Sequence, residues 1–169
     1  QSVVMLKDER IMIAGGLRSM SLNSVNIYNS DDDSWQIGAV MPTAAELHSL
    51  VVLENGHVVS LGGVRNGTQF ITRASIYNPD SNSWVQATSN SLNRGYARFA
   101  ALMPNGSIVV GAGSDHSYNS SKAVEVYDPV NDTWTVVNSL NFERGVHAST
   151  LVSGGRLLVT GGMNSSYEV

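Results

Sequence analysis

Four arginines and one polar cluster are the side chains of this sequence best suited to chemistry. Arg18, Arg65, Arg94 and Arg144 carry forked guanidinium N–H donors and no acceptor. Asp115, His116 and Tyr118 stand together in a polar stretch, and with His48 or His147 they offer metal-ligand types. Their spacing matches no metal motif, so neither a metal nor a cofactor is expected. Asp31-Asp32-Asp33 lacks the Gly and distal Glu of a calcium loop and reads as a solvated acidic turn. No Ser-His-Asp, paired-carboxylate or phosphate-loop arrangement is legible, so no catalytic residue is assigned. The chain has no Cys, which excludes thiol catalysis, disulfides and thiolate metal sites within it.

The 169 residues suffice for one domain with a sizeable core. With 42% hydrophobic and 14% charged residues, the chain is too apolar for disorder and too weakly charged for a coiled coil. The net charge is −4 with no basic cluster, so nucleic acid is not an expected partner. No apolar run approaches the roughly 18 residues of a membrane span. The opening Gln1-Ser2-Val3-Val4 reads as a strand rather than a signal peptide, which suits a processed or excised piece as well as a cytosolic protein.

The elements that must position these side chains announce themselves by repetition. Tyr28, Tyr77 and Tyr127 each precede a tryptophan by seven residues: Trp35, Trp84 and Trp134. The tryptophans are 49 and 50 residues apart. Gly15-Gly16, Gly62-Gly63 and Gly161-Gly162 recur at matching places, with Gly111-Ala112-Gly113 as a softened copy. Each unit reads as four short strands. In the second they are 47–53, 57–61, 73–77 and 83–86. Asn55-Gly56, Asn105-Gly106 and Gly154-Gly155 mark the first hairpin, where two positive φ values are expected. Pro79 and Pro129 start the later turn, where no ladder N–H is lost.

Four antiparallel strands per unit of about 50 residues make a propeller blade. The apolar run into Gly-Gly, the Tyr, and the Trp seven residues later resemble the kelch-repeat family over essentially the whole chain. The second and third units add Arg94 and Arg144 ten residues after the Trp; the first departs, with Ala45 there. The expected fold is an all-β, kelch-type β-propeller with about three and a half blades, an incomplete ring. One propeller domain covers 1–169, with blades near 2–37, 47–86, 97–136 and an incomplete 147–169. Such a segment leaves raw strand edges. The missing blades are expected from the rest of a longer chain, with a second copy as the alternative. The tryptophans are expected to plug the gaps between blades, each worth roughly 4–6 kcal/mol at most when buried. Gly-Gly is expected where backbones come close or φ turns positive. All of these are fold residues.

Kelch propellers bind through loops on one face of the ring. The resemblance assigns to that face the loops between strands two and three (17–23, 64–72, 114–121, 163–166). It also assigns the connections between blades (42–46, 90–96, 138–146). Variable loops on a fixed scaffold suit recognition. Arg18 and Arg65 fall outside the repeated pattern and are the first recognition candidates, with ordinary solvation as the alternative. Arg94 and Arg144 recur, which favours bonding to loop carbonyls. Asp115, His116 and Tyr118 complete the candidate face. Kelch domains that bind acidic peptides use arginines in such loops, so the resemblance implies an acidic protein or peptide partner.

The expected function is a protein-binding or structural scaffold. The alternative is part of a secreted propeller enzyme resembling galactose oxidase. The copper centre this resemblance implies needs a Tyr crosslinked to Cys, so its active site would lie outside this segment. Asn-X-Ser/Thr occurs five times against roughly three by chance. Asn66, Asn119, Asn131 and Asn164 are glycan candidates; Asn105 lies in a tight turn and is not. A secreted or cell-surface location is expected, with cytoplasm as the alternative.

Overall fold

The computed structural model describes residues 1–89, 99–114, 117 and 119–166. Arg94, Asp115, His116 and Tyr118 lie outside the described residues. Among the described residues every regular element is a strand.

Blade 1 is the antiparallel sheet β1 (Ser2–Met5), β2 (Ile11–Ala14), β3 (Val25–Asn29) and β4 (Ser34–Gly38), paired in that order. Blade 2 holds β5 (Ser49–Val52), β6 (Val58–Leu61), β9 (Arg73–Asn78) and β10 (Ser83–Ser89). The small hairpin β7 (Val64–Arg65) and β8 (Gln69–Phe70) is inserted between its second and third strands. The sequence gives that stretch as a plain polar loop. Blade 3 is β11 (Phe99–Leu102), β12 (Ile108–Gly111), β13 (Val124–Asp128) and β14 (Thr133–Val137). A final hairpin, β15 (Ala148–Val152) with β16 (Arg156–Thr160), supplies two strands of a fourth. The first strands β1, β5, β11 and β15 contact one another in sequence, which fixes them as the inner strands of a propeller.

Alternation along each strand sends one set of side chains to each neighbouring blade. Val25 and Ile27 of blade 1 face Val58, Tyr77 and Trp84 of blade 2 in one buried cluster. Val59, Leu61 and Ala74 of blade 2 face Ile108, Val110, Tyr127 and Trp134 of blade 3 in the next. The third cluster joins Phe99 and Val124 to Leu157 and Val159 of the last hairpin. Each interface is therefore built from the same two faces.

Polar groups clasp the outer strands. The Trp84 indole N–H donates to the Ala39 carbonyl at 2.8 Å, and the Ala39 N–H donates to Asn82 Oδ1 at 2.7 Å. One blade on, Trp134 Nε1 donates to the Thr88 carbonyl at 3.4 Å and the Thr88 N–H to Asp132 Oδ1 at 3.0 Å. Asn82 and Asp132 also accept the hydroxyls of Tyr77 and Tyr127, both at 2.9 Å. The Thr88 amide is the first cause holding the Asp132 carboxyl below its usual range. Burial pushes the Tyr127 hydroxyl up. Asp33, Asn82 and Asp132 all take left-handed φ (54°, 47°, 52°), which short polar side chains tolerate best.

Two sequence expectations need correction. Asn55 and Asn105 are not left-handed; only Gly56 (φ 87°) and Gly106 (φ 84°) are. The Leu53 N–H reaches the His57 carbonyl and the Gly56 N–H the Leu53 carbonyl, so the loop has three residues and needs one positive φ. Each Asn serves instead as a side-chain acceptor, Asn55 Oδ1 for the His57 N–H and Asn105 Oδ1 for Ser107. Gly154 and Gly155 do both take positive φ. The second correction concerns Trp35. It is 59% exposed and its ring stacks on its own blade's Tyr28, because among the described residues no blade lies on that side of blade 1. Trp84 and Trp134 fill their gaps; Trp35 does not.

The double glycines sit where connections cross. Gly15, Gly16, Gly62, Gly63, Gly113, Gly161 and Gly162 all have positive φ. A Cβ on Gly63 would lie 2.5 Å from the Glu46 carbonyl oxygen, and one on Gly162 2.5 Å from that of Gly145. Ala112, in the softened copy, accepts φ 55°.

Candidate functional site

The connections after blades 1 and 3 are hydrogen bonded to the loops between strands two and three, so these share one face. The Met41 N–H donates to the Asn23 carbonyl and Ala45 N–H to Leu22. Glu46 and Val64 exchange both backbone bonds, as do Gly145 and Met163. Leu140 N–H donates to Lys122 in the third unit.

Side chains lock neighbouring loops together. The Ser21 N–H donates to Asn66 Oδ1 at 3.1 Å, and the Asn66 N–H donates to Ser21 Oγ at 2.7 Å. Glu46 is 7% exposed, and its Oε1 accepts the Gly67 N–H at 2.9 Å and the Ser21 hydroxyl at 3.2 Å. A buried carboxylate with two donors is thus the post that carries the loops of blades 1 and 2. One interface later Ser165 Oγ accepts the Ser120 N–H, and Glu143 Oε1 accepts the Ser165 N–H. Those bonds hold the Glu143 carboxyl below its usual range. Sequence reading passed over Glu46; the signal available was a lone Glu beside the missing arginine at Ala45.

The candidate arginines separate. Arg18 is exposed at the tip of the blade 1 loop, where its N–H donates to the Met20 carbonyl. Arg65 stands on β7 and lines a cleft of about 200 Å³ with Thr43, Gln69, Phe70, Arg73 and Gln86. Arg73, which begins β9, was not among the sequence candidates. Arg144 Nη1 donates to the Gly161 carbonyl at 2.6 Å. Among the described residues the ion pairs are Lys7–Glu54 and Arg10–Asp8, so none of Arg18, Arg65, Arg73 and Arg144 has a carboxylate partner.

His48 and His147 precede β5 and β15 at equivalent places. Both His48 ring nitrogens are buried without a hydrogen-bond partner, and burial lowers its pKa to about 4. His147 packs edge-on against Phe99, and burial lowers its pKa too. Among the described residues no three His, Asp or Glu converge as a metal site. Asp32 and Asp33 are engaged by Ser34 and Tyr28. No helix among the described residues is long and apolar enough to cross a membrane. Of the glycan candidates, Asn66 is in the loop lock and Asn131 Nδ2 donates to Asp128 Oδ2 at 2.7 Å.

Comparison with known proteins places this geometry. A profile described as the Kelch motif matches residues 95–141. Kelch-like protein 34 of Homo sapiens is 27% identical over 161 residues, covering 90% of this chain and 24% of that protein. A galactose oxidase of Gibberella zeae is 29% identical over 68 residues, covering 40% of this chain and 10% of that protein. The solved structure of YjhT superposes with a TM-score of 0.75 at 15% identity, covering 96% of this chain and 57% of that one. The chain thus spans about a quarter of the length of its kelch-like relative. Repeated Tyr–Trp pairs, crossing double glycines and stacked four-stranded blades are here joined to matches with kelch sequences, and the chain belongs to the kelch-repeat family.

Proposed function

We propose that this chain serves a protein-binding scaffold whose loop face captures an acidic segment of another protein or peptide. The observation that carries this reading is a set of exposed arginines with no carboxylate partner among the described residues, Arg18 and Arg65 foremost, on loops locked by Glu46, Ser21 and Asn66. Permanent cations on a pre-organised surface suit an anionic partner. The exposed apolar faces of blade 1 and the last hairpin are proposed to pack against further blades of a longer chain. The short share of its relative that this chain covers supports that view.

The test is capture of a displayed acidic-peptide library by the protein and by its Arg18→Ala/Arg65→Ala variant, with thermal melts as the folding control. Loss of capture at an unchanged melt is expected. Capture that survives both changes refutes this placement of the face.

A second reading, part of a secreted oxidase, draws on the partial likeness to galactose oxidase. Turnover of galactose with copper supplied, by the complete protein, is its test. A secreted or cell-surface protein with glycans on Asn66, Asn119, Asn131 or Asn164 is proposed alongside. Native material that keeps its mass after glycosidase treatment would remove that proposal.

A further inference from the structure

We infer that the cavity between blade 3 and the last hairpin is a seat for one tyrosine ring, carried by a β-hairpin that pairs with β16 as the outer half of a fourth blade. This deepens the proposal that the last hairpin packs against further blades, and rests on it.

The same seat occurs twice more in the protein, each time filled. Between blades 1 and 2, Tyr77 is buried with Leu6, Met12 and Ile27. Between blades 2 and 3, Tyr127 is buried with Leu53, Val59 and Ile76. Met103, Val109 and Val126 hold the matching places in blade 3. The Met103 N–H closes the first hairpin turn as those of Leu6 and Leu53 do. Val109 faces Val126 across β12 and β13, as Met12 faces Ile27 and Val59 faces Ile76. These three side chains line an open cavity of about 390 Å³, with Pro104, Ser107 and Gly155 beside them. No charged side chain lines it, which disfavours an ionic ligand.

The edge that would receive the carrier strand is also defined. Tyr28, Tyr77 and Tyr127 stand opposite Ile11, Val58 and Ile108 on the second strand of their blades. Leu157 of β16 is the next member of that series: it follows Gly155 by two residues, as Val58 follows Gly56 and Ile108 follows Gly106. Val58 and Ile108 are fully buried, whereas Leu157 is half-buried. Among the described residues β16 pairs with β15 alone, so its outer edge offers backbone donors and acceptors to a further strand.

A guest of this kind brings its own hydroxyl acceptor. Each tyrosine donates to the Asp or Asn five residues on, which is Asp33, Asn82 or Asp132. The walls therefore supply only apolar surface, and a large aromatic buries roughly 150–250 Å². The clasp that would follow has a place too. Asn138 stands four residues after Trp134, as Ala39 and Thr88 stand after Trp35 and Trp84. The Ala39 and Thr88 carbonyls accept an indole N–H from the next blade; among the described residues no indole reaches Asn138. Cavity, strand edge and clasp position call for one occupant, a hairpin with Tyr opposite Leu157 and Trp seven residues later.

The test is NMR of the full chain with labelled Val and Met methyls. It is titrated with p-cresol, the tyrosine side chain alone, and with a peptide of residues 122–138, the protein's own outer hairpin from blade 3. The methyls of Met103, Val109 and Val126 should shift with both, and the β16 amides should exchange more slowly with the peptide. The peptide carrying Tyr127→Ser should bind about tenfold or more weaker, through the lost aromatic burial. In the protein, Val126→Phe fills the cavity and should abolish the p-cresol response. Met103→Phe, the second filling variant, should act alike. Equal binding of the Tyr and Ser peptides, with β16 protected by both, would overturn the tyrosine seat and spare the reading of further blades. Absence of β16 protection by either peptide would overturn both. Shifts with p-cresol spread evenly over the exposed methyls would overturn the seat alone.

Discussion

Trp84 and Ala39 are joined across a blade boundary by an indole N–H to carbonyl bond of 2.8 Å. The Ala39 N–H is meanwhile accepted by Asn82, so one residue of blade 1 is gripped through both of its backbone groups. Asn82→Ala removes the acceptor of Ala39 and of the buried Tyr77 hydroxyl, and sets an alanine at φ 47°. A loss of about 2–4 kcal/mol is expected by denaturant unfolding. Asn82→Asp should stay within about 1 kcal/mol, because Asp33 and Asp132 occupy the same place in the other units.

The tryptophans should differ although their sequence contexts match. Trp35→Ala is expected to cost about 1 kcal/mol and Trp84→Ala about 3 kcal/mol, since Trp35 is mostly exposed and Trp84 is packed between blades. Acrylamide quenching of single-tryptophan variants checks the same contrast; Trp35 should be quenched most.

Glycines with similar φ should separate by their surroundings. Gly63→Ala drives a Cβ to within 2.5 Å of the Glu46 carbonyl, and a cost of about 2–3 kcal/mol is expected. Gly67→Ala meets nothing within 4 Å and should cost only about 1 kcal/mol. Thermal melts of the pair decide it.

The Glu46 post can be tested by amide exchange. Glu46→Ala removes the Oε1 that accepts the Gly67 N–H. Exchange at Gly67 should rise by about tenfold or more, with the inner strand β6 unaffected.

Acid should weaken the fold through His48. Its folded pKa is lowered to about 4, while the unfolded side chain takes a proton near 6.5. Between these values the unfolded state binds more protons, so stability falls as pH drops from about 6.5 to about 4. The contribution is on the order of 3 kcal/mol. Unfolding curves across that window should be flatter for His48→Gln. Asp132, whose folded pKa is also lowered, acts in the same direction in a more acidic window: its contribution is lost as pH falls below the ordinary carboxylate value of 3.8 and through its depressed folded value.

Much of this was legible in the sequence. Tyr, Trp and Gly-Gly at fixed intervals pointed to four-stranded blades, and the second unit's four strands, β5, β6, β9 and β10, formed at nearly the places their pattern indicates. The Asn-Gly turns went astray because dipeptide chemistry alone does not reveal loop length. Trp35 went astray because a repeat pattern describes a residue's own blade and not its neighbour. The Asp or Asn two residues before each Trp was visible in all three units, but its partner lies over 40 residues away. The cleft was half legible: Arg65 was a candidate, whereas Arg73 sits in a strand and joins it only through the β7–β8 hairpin.

The clasp at each outer strand has a sense of direction. Ala39 and Thr88 give both backbone groups forward, and Asn82 with Trp84, or Asp132 with Trp134, receives them. Blade 2 carries both halves, Asn82 with Trp84 toward blade 1 and Thr88 toward blade 3. A duplicated unit would arrive with both, so a ring of this kind can lengthen or shorten by whole blades without any new surface having to evolve.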